Sequence, residues 1–442
     1  MHPPAERRVS YGRLRSPQGA AMRARTFALL QFSVIAWACI YLALVAVTGH
    51  TYIRSIAFGF AAAFSLWLTL GAIFSDAEAI PIPDWYLLAA VLAWAGWSAA
   101  SWGWSIHPDY TRAEIGTEVG WGLSTAAIFY VAARNGQALR AMVTTAVVIA
   151  AVLGIFAIQM VLAHPDIDPE KLLVARHGGV GAFSTYLVMV VPLLPLMLAP
   201  RPAGFGTSRI ALVATGGLFL LLLVAARITE NRMVWVAFAA GFLVAALVAA
   251  WRWRGRLARA PKRWGGVLLV LLALVAVLFI DAAMQRARTD RDPQASVAKA
   301  LADDPRFILW EHTFERIKQR PWTGFGYGKS ILREELSAEL GNPLLAHAHN
   351  IFVSQWLQTG AIGVLTLLAL LAALAWRYAA FLRHGDGTLA AIGLVGLVGL
   401  AMFVVKSMTD DFLVRPTSKE FWALNGLLVG YGIRRVRSAL AR

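Results

Sequence analysis

Runs of about twenty apolar residues, separated by short polar intervals, recur from Thr26 almost to the end of the chain. No other feature constrains the fold as strongly. A backbone crossing hydrocarbon must satisfy every N–H and C=O internally, so each run has to be a helix. Composition agrees: 58% of the residues are hydrophobic and only 15% are charged, with a mean hydropathy of +0.61. A soluble protein carries about 25% charged residues. The expectation is an all-α polytopic membrane protein of about 12 transmembrane helices. They fall near 27–48, 54–75, 85–105, 117–134, 138–163, 180–199, 209–226, 232–251, 265–283, 350–377, 388–408 and 419–437. The chain reads as a single integral membrane domain over 1–442, with a basic tail over 1–26 and one large polar loop over 284–349.

The loops orient this set. With the N-terminus in the cytoplasm, the inner loops collect Arg134 and Arg140, Arg201 and Arg209, the cluster Arg252 to Arg263, and Arg377 and Arg383. The C-terminal arginines Arg434, Arg435, Arg437 and Arg442 fall on the same side, as the positive-inside rule requires. The net charge of +16 is therefore assigned to loops facing anionic lipid, with no nucleic-acid partner. The outer face receives the 284–349 loop and the shorter loops 49–53, 106–116, 164–179, 227–231 and 409–418. Cys39 is the only cysteine, which excludes an intrachain disulfide or a cysteine-rich metal site.

The large loop has internal order. Asp304-Pro305 starts a helix by the usual pairing of an acidic cap with proline at the first helical position. Phe307, Trp310, Phe314 and Ile317 then recur at helical spacing, and Pro321 ends the run. Trp322-Thr323-Gly324-Phe325-Gly326-Tyr327-Gly328 is a glycine-punctuated turn. It mimics a phosphate loop, but Thr323 stands where that motif needs glycine, so a structural turn is expected. A second amphipathic helix follows, with Ile331, Leu332, Leu336 and Leu340 on one face. Both helices are expected to lie on the outer membrane surface, apolar faces down.

Cations outside run against the charge bias and need a reason. The main ones are Arg54, Arg176, Arg227, Arg232, Arg306, Arg316 and Arg320. Several guanidiniums facing one cavity suit a diphosphate, because each offers planar paired donors to phosphate oxygens. The plain alternative is a snorkelling side chain or a local ion pair, such as Arg232 with Glu230. Arg232 opens a span that has few charges to pair with, which favours a functional role; Arg306 stands beside Asp303 and Asp304, which does not.

The last residues of the loop, His347-Ala348-His349-Asn350, put two imidazoles where polar chain meets lipid. A metal site is not supported, since no third ligand is placed with them. Asn350 can cap the tenth span, which sets His349 at a helix N-terminus. The positive end of the dipole disfavours an imidazolium there and leaves the neutral ring that a general base requires. The competing reading is a pair of interfacial histidines, and His347 divides evenly between the two. Asp410-Asp411 reads as solvated surface, Trp104 to Asp109 as the end of an aromatic belt, and Arg176 to Gly181 as a glycine-rich approach to the sixth span.

The order Arg232, Arg306, Trp310, Pro321, the Gly324/Gly326/Gly328 turn and His347-Ala348-His349-Asn350 before Gly360 and Gly363 resembles the bacterial O-antigen ligase superfamily. That superfamily also holds O-antigen polymerases and O-linking oligosaccharyltransferases. Ser184 departs from the pattern, standing where many relatives carry asparagine. The resemblance implies a glycosyltransferase of the Gram-negative inner membrane with a periplasmic active site. It would move a glycan from undecaprenyl diphosphate to a sugar hydroxyl of lipid A–core, in lipopolysaccharide biosynthesis, without metal, ATP or other cofactor. It further implies that the essential histidine is His349 or His347 and that the essential arginines are Arg232 and Arg306; Arg227 and Arg176 are further candidates for binding the substrate from the outer-charge argument. Direct attack on the anomeric carbon would invert its configuration. Polymerase and oligosaccharyltransferase share this donor chemistry. A lipid-glycan flippase is the reading from another class, but it should place polar breaks midway through spans, whereas here they gather on the outer side.

Overall fold

A computed structural model describes residues 17–47, 49–74, 80–252, 265–266, 269–270, 273–281, 284, 306–341, 347–409 and 411–440. Its regular structure is helical. In chain order the helices are α1 (Pro17–Val45), α2 (Thr51–Phe74), α3 (Trp85–Ala100), α4 (Pro108–Glu114), α5 (Trp121–Ala132), α6 (Gly136–Ala163), α7 (Pro169–His177), α8 (Gly179–Val190), α9 (Leu194–Met197), α10 (Arg209–Ile228), α11 (Arg232–Arg252), α12 (Arg306–Gln319), α13 (Arg333–Leu340), α14 (Ile351–Arg383), α15 (Gly387–Lys406) and α16 (Arg415–Leu440). The protein is an all-α multi-pass membrane protein. Among the described residues, eight helical stretches are long and apolar enough to cross a bilayer.

The expectation of about twelve differs from that count for physical reasons. Helix α3 has 16 residues before a 3₁₀ turn over Ser101–Trp104, and α5 has 12 after a π-turn over Ile115–Gly120. Helix α16 has 26 residues, but Arg415, Lys419, Glu420, Arg434, Arg435 and Arg437 lower its hydropathy. The run expected over 265–283 lies partly outside the described residues, as do most of residues 284–305, Leu344-Leu345-Ala346 and Asp410.

Small residues set the tightest helix contacts. A methyl group added at Gly426 would come within 2.3 Å of Ala126 O, and one at Gly430 within 2.7 Å of Tyr130 O. Gly122 has the same relation to the Trp422 ring, at 2.6 Å. Helices α5 and α16 therefore run parallel and touch along a small-xxx-small stripe, the usual route to close packing where lipid supplies no hydrophobic drive.

Two faces follow from the helix ends. Arg252, at the end of α11, donates from Nε to Leu382 O at 3.2 Å and from Nη2 to His384 O at 3.5 Å. Gly241 of α11 packs on Met402 and Val398 of α15. Helices α11 and α15 are thus antiparallel neighbours, and the starts of α11 and α14 share a face with the end of α15. Asp84 pairs with Arg377 at 2.9 Å and Asp386 with Arg435 at 2.8 Å on the opposite face, which also holds Arg134, Arg252 and Arg434.

Candidate active site

The site is built around a break in α14. At Gly360 the backbone leaves the helix (φ 71°, ψ −174°). The carbonyls before the break need other donors. Leu357 O accepts from Phe325 N at 3.0 Å, Gln358 O from Gly326 N at 2.9 Å, and Thr359 O from Trp97 Nε1 at 2.8 Å. Beyond it, Ala361 N donates to Pro321 O at 2.8 Å. The glycine turn thus fills the gap in the helix. Its first glycine has φ +67°, and a Cβ there would lie 2.4 Å from Gln358 O. The turn is further fixed by Ile106 N to Phe325 O (3.0 Å), Tyr327 N to Ser101 Oγ (2.9 Å), Trp104 Nε1 to Thr323 O (2.8 Å) and Ser330 N to Tyr110 Oη (3.0 Å). Trp104 and Ile106 therefore support this turn, where the sequence suggested only the end of an aromatic belt.

Helix α12 rests on the turn through Leu309, Thr313 and Ile317, which are buried, and α13 adds Leu336. Arg316 pairs with Glu339 and links the two helices. Phe307 and Phe314 are exposed, on another side of α12 from the packed stripe of Leu309, Thr313 and Ile317.

This platform holds the histidine segment. Trp310 Nε1 donates to Ala348 O at 2.6 Å. Asn350 Oδ1 accepts from Phe352 N (2.9 Å) and Val353 N (3.2 Å), while its Nδ2 donates to Met408 O at 3.1 Å. Ile351 N donates to Ser407 O at 2.9 Å. The expected N-cap is present, and it also ties α14 to the end of α15. Between these clamps the rings of His347 and His349 lie with centroids 3.8 Å apart, both partly exposed. His349 has φ +47°, a conformation that costs a non-glycine residue about 1–2 kcal/mol. Among the described residues only Glu230 and Arg415 share that sign of φ without being glycine. Glu230 and His349 stand just before α11 and α14, and Arg415 opens α16, all on the same face. Backbone strain of this kind concentrates at functional sites.

Arg232 opens α11 on the face that holds His349. Asn231 caps that helix, its Oδ1 accepting from Met233 N at 3.1 Å. Because α15 contacts α11 along its length and holds Asn350 through Met408, one helix registers both residues. Arg227 instead forms an ion pair with Asp281. Arg176, in the last turn of α7, and Arg306, the first residue of α12, have backbones placed on this face, but their side chains lie outside the description. A Cβ at Gly181 would lie 3.8 Å from the Phe412 ring, which brings the start of α8 to the same layer; Ser184 is buried and its Oγ donates to Gly181 O at 3.0 Å.

Several polar residues of this layer carry no sequence signature. Asp411 is not solvated: it is buried, its Oδ1 accepts from Leu413 N at 3.1 Å and its Oδ2 faces Gln358 Nε2 at 3.5 Å. Gln358 Oε1 accepts from Gly328 N at 3.0 Å, and Lys329 Nζ donates to Asp411 O at 3.1 Å. Glu118 is buried and takes Arg415 N at 2.6 Å. Burial pushes the Glu114 carboxyl up, with Arg415 and Lys419 opposing. Polar residues inside apolar runs were the available signal; their partners were not readable.

Fold and site together define a multi-pass membrane protein with a layered polar centre at one face, made of paired histidines, a capping asparagine and outlying arginines. Residues 217–368, which run from α10 through the histidine segment into α14, match the family model described as O-Antigen ligase. It is also 28% identical over 162 residues to a General O-oligosaccharyltransferase of Acinetobacter baylyi (strain ATCC 33305 / BD413 / ADP1); the match covers 34% of this chain and 27% of that protein. The chain thus spans about a quarter of the length of that curated relative.

Proposed function

We propose that the protein transfers a glycan from a lipid-diphosphate carrier, undecaprenyl diphosphate, to a hydroxyl acceptor at the outer face of the bacterial inner membrane. The acceptor is lipid A–core. The observation that carries the proposal is the clamped histidine pair, with His349 held at φ +47° before the Asn350 cap inside the stretch that matches the O-Antigen ligase model. An acceptor hydroxyl needs a base, and the His349 imidazole beside the start of α14 is the candidate. The diphosphate is its own driving force, and its leaving oxygens need fixed cations. Arg232 is the first candidate, on the same face and registered through α15; Arg306, Arg176 and Arg227 are secondary, and Arg227 must exchange Asp281 for phosphate to take part. His347 orients or relays for His349. Attack at the anomeric carbon inverts it. Both termini lie in the cytoplasm, in keeping with the arginines gathered on the opposite face.

A second reading is favoured by the Acinetobacter match: the same donor chemistry with a protein hydroxyl as acceptor. Purified protein in liposomes with undecaprenyl-diphosphate glycan decides between them. Product on lipid A–core selects ligase, product on a serine-containing peptide selects oligosaccharyltransferase, and longer donor chains select polymerase. Translocation without bond formation overturns the enzyme assignment. His349→Ala is expected to reduce transfer at least about 100-fold, the usual contribution of a general base.

A further inference from the structure

On the face opposite His349 a cleft of about 750 Å³ opens between α2, α3, α5 and α16. It is lined by apolar side chains, among them Leu87, Val91, Leu123, Ala127 and Val429. The volume lies within the range of ligand pockets, about 300–1,000 Å³. Its rim is charged. The segment Ile80–Pro83 forms one lip and is held by Tyr130 Oη, which donates to Pro81 O at 2.6 Å. Arg437 Nη2 reaches Ile82 O at 3.4 Å, Arg434 Nη1 donates to Tyr130 O at 2.7 Å, and Arg377 pairs with Asp84 at 2.9 Å, the residue after Pro83. Among the described residues, three guanidiniums stand against one carboxylate at this rim, above a hydrocarbon-lined slot. Basic pockets between transmembrane helices recognise anionic headgroups.

We propose that this cleft is a binding site for one anionic phospholipid of the leaflet away from His349. An acyl chain would lie along α5 between Leu123 and Val131, and the phosphate would meet the exposed Arg437 at the rim. Its charged rim stands at the other end of the α5–α16 pair from Glu118 and Arg415. Bound there, the lipid would brace the Ile80–Pro83 lip against α16.

The test uses the full chain, purified in a neutral detergent and delipidated. Phosphatidylglycerol or phosphatidylcholine is added, and retained lipid is counted by native mass spectrometry while thermal unfolding is followed in parallel. One phosphatidylglycerol per chain and a rise in Tm, with at least about five-fold weaker retention of phosphatidylcholine, is expected. Ala127→Phe fills the slot and should abolish retention of both lipids. Arg437→Gln, a change at an exposed side chain, should leave the slot intact and reduce the anionic preference about five-fold, equivalent to about 1 kcal/mol. Equal retention of the two lipids by the unaltered protein overturns the proposal, as does retention that survives Ala127→Phe in a folded variant.

Discussion

Asn350 Nδ2 donates to Met408 O at 3.1 Å while the same side chain's Oδ1 closes the first turn of α14. One amide therefore fixes both the start of the helix behind the histidines and its distance from the end of α15. Helix α15 is also the neighbour of α11, which Arg232 opens, so this amide couples the two halves of the proposed site.

Asn350→Asp should separate the two roles. The carboxylate still caps α14, so Tm should fall little, but it has no donor for Met408 O. Asn350→Ala loses both and should cost about 1 kcal/mol for the cap alone. Transfer should drop in both variants. Full transfer by Asn350→Asp would show that the Met408 contact has no part in positioning His349.

Trp310 acts at the other end of the segment. Trp310→Phe keeps the ring but loses the 2.6 Å bond to Ala348 O. The expected result is a folded protein with kcat lowered more than KM, because the histidines are displaced relative to the reacting atoms. Single-turnover measurement on liposomes reads the split.

Gly360→Ala should be among the most damaging single changes in the membrane region. A Cβ there would lie 2.1 Å from the Trp322 carbonyl carbon and oxygen, at φ +71°. Either the turn leaves α14 and the carbonyls of Leu357, Gln358 and Thr359 lose their donors, or the helix straightens and the Phe325 and Gly326 amides lose their acceptors. Each buried carbonyl left unpaired costs about 1–3 kcal/mol. Loss of the monodisperse peak in size-exclusion chromatography is the expected readout.

Asp386 provides a pH-dependent contact on the opposite face. Burial pushes its carboxyl up, but the Leu389 and Thr388 amides and the Arg435 guanidinium outweigh that and hold it below the usual carboxylate value. A group with a lowered folded value stabilises the fold at and above its unfolded pKa, and this contribution disappears as pH falls through the folded value. Tm should therefore decline on acidification below about pH 4, and Asp386→Asn, which retains a cap, should flatten that decline. An unchanged acid limb in the variant would remove the Arg435 pair from the account.

Membrane class, helical content and the orientation of charge were readable because apolar length and lysine–arginine bias act locally along the chain. The same was true of the N-cap at Asn350, since capping depends on residues within one turn. The break at Gly360 was not readable: an isolated glycine in an apolar run looks like any other until Pro321 and Phe325 arrive from a distant segment to satisfy the carbonyls. Nor was the burial of Asp411, which depends on Gln358 from α14, or the role of Trp310, whose spacing suggested only an apolar stripe. The Arg227–Asp281 pair was likewise not readable, because it joins the end of α10 to a residue more than fifty positions along the chain. By itself the sequence determined that this chain must cross a membrane as helices and which residue types could carry chemistry. Tertiary structure alone decided which of those residues share a face, because the registering contacts, α15 against α11 and the glycine turn against α14, join segments far apart in the chain.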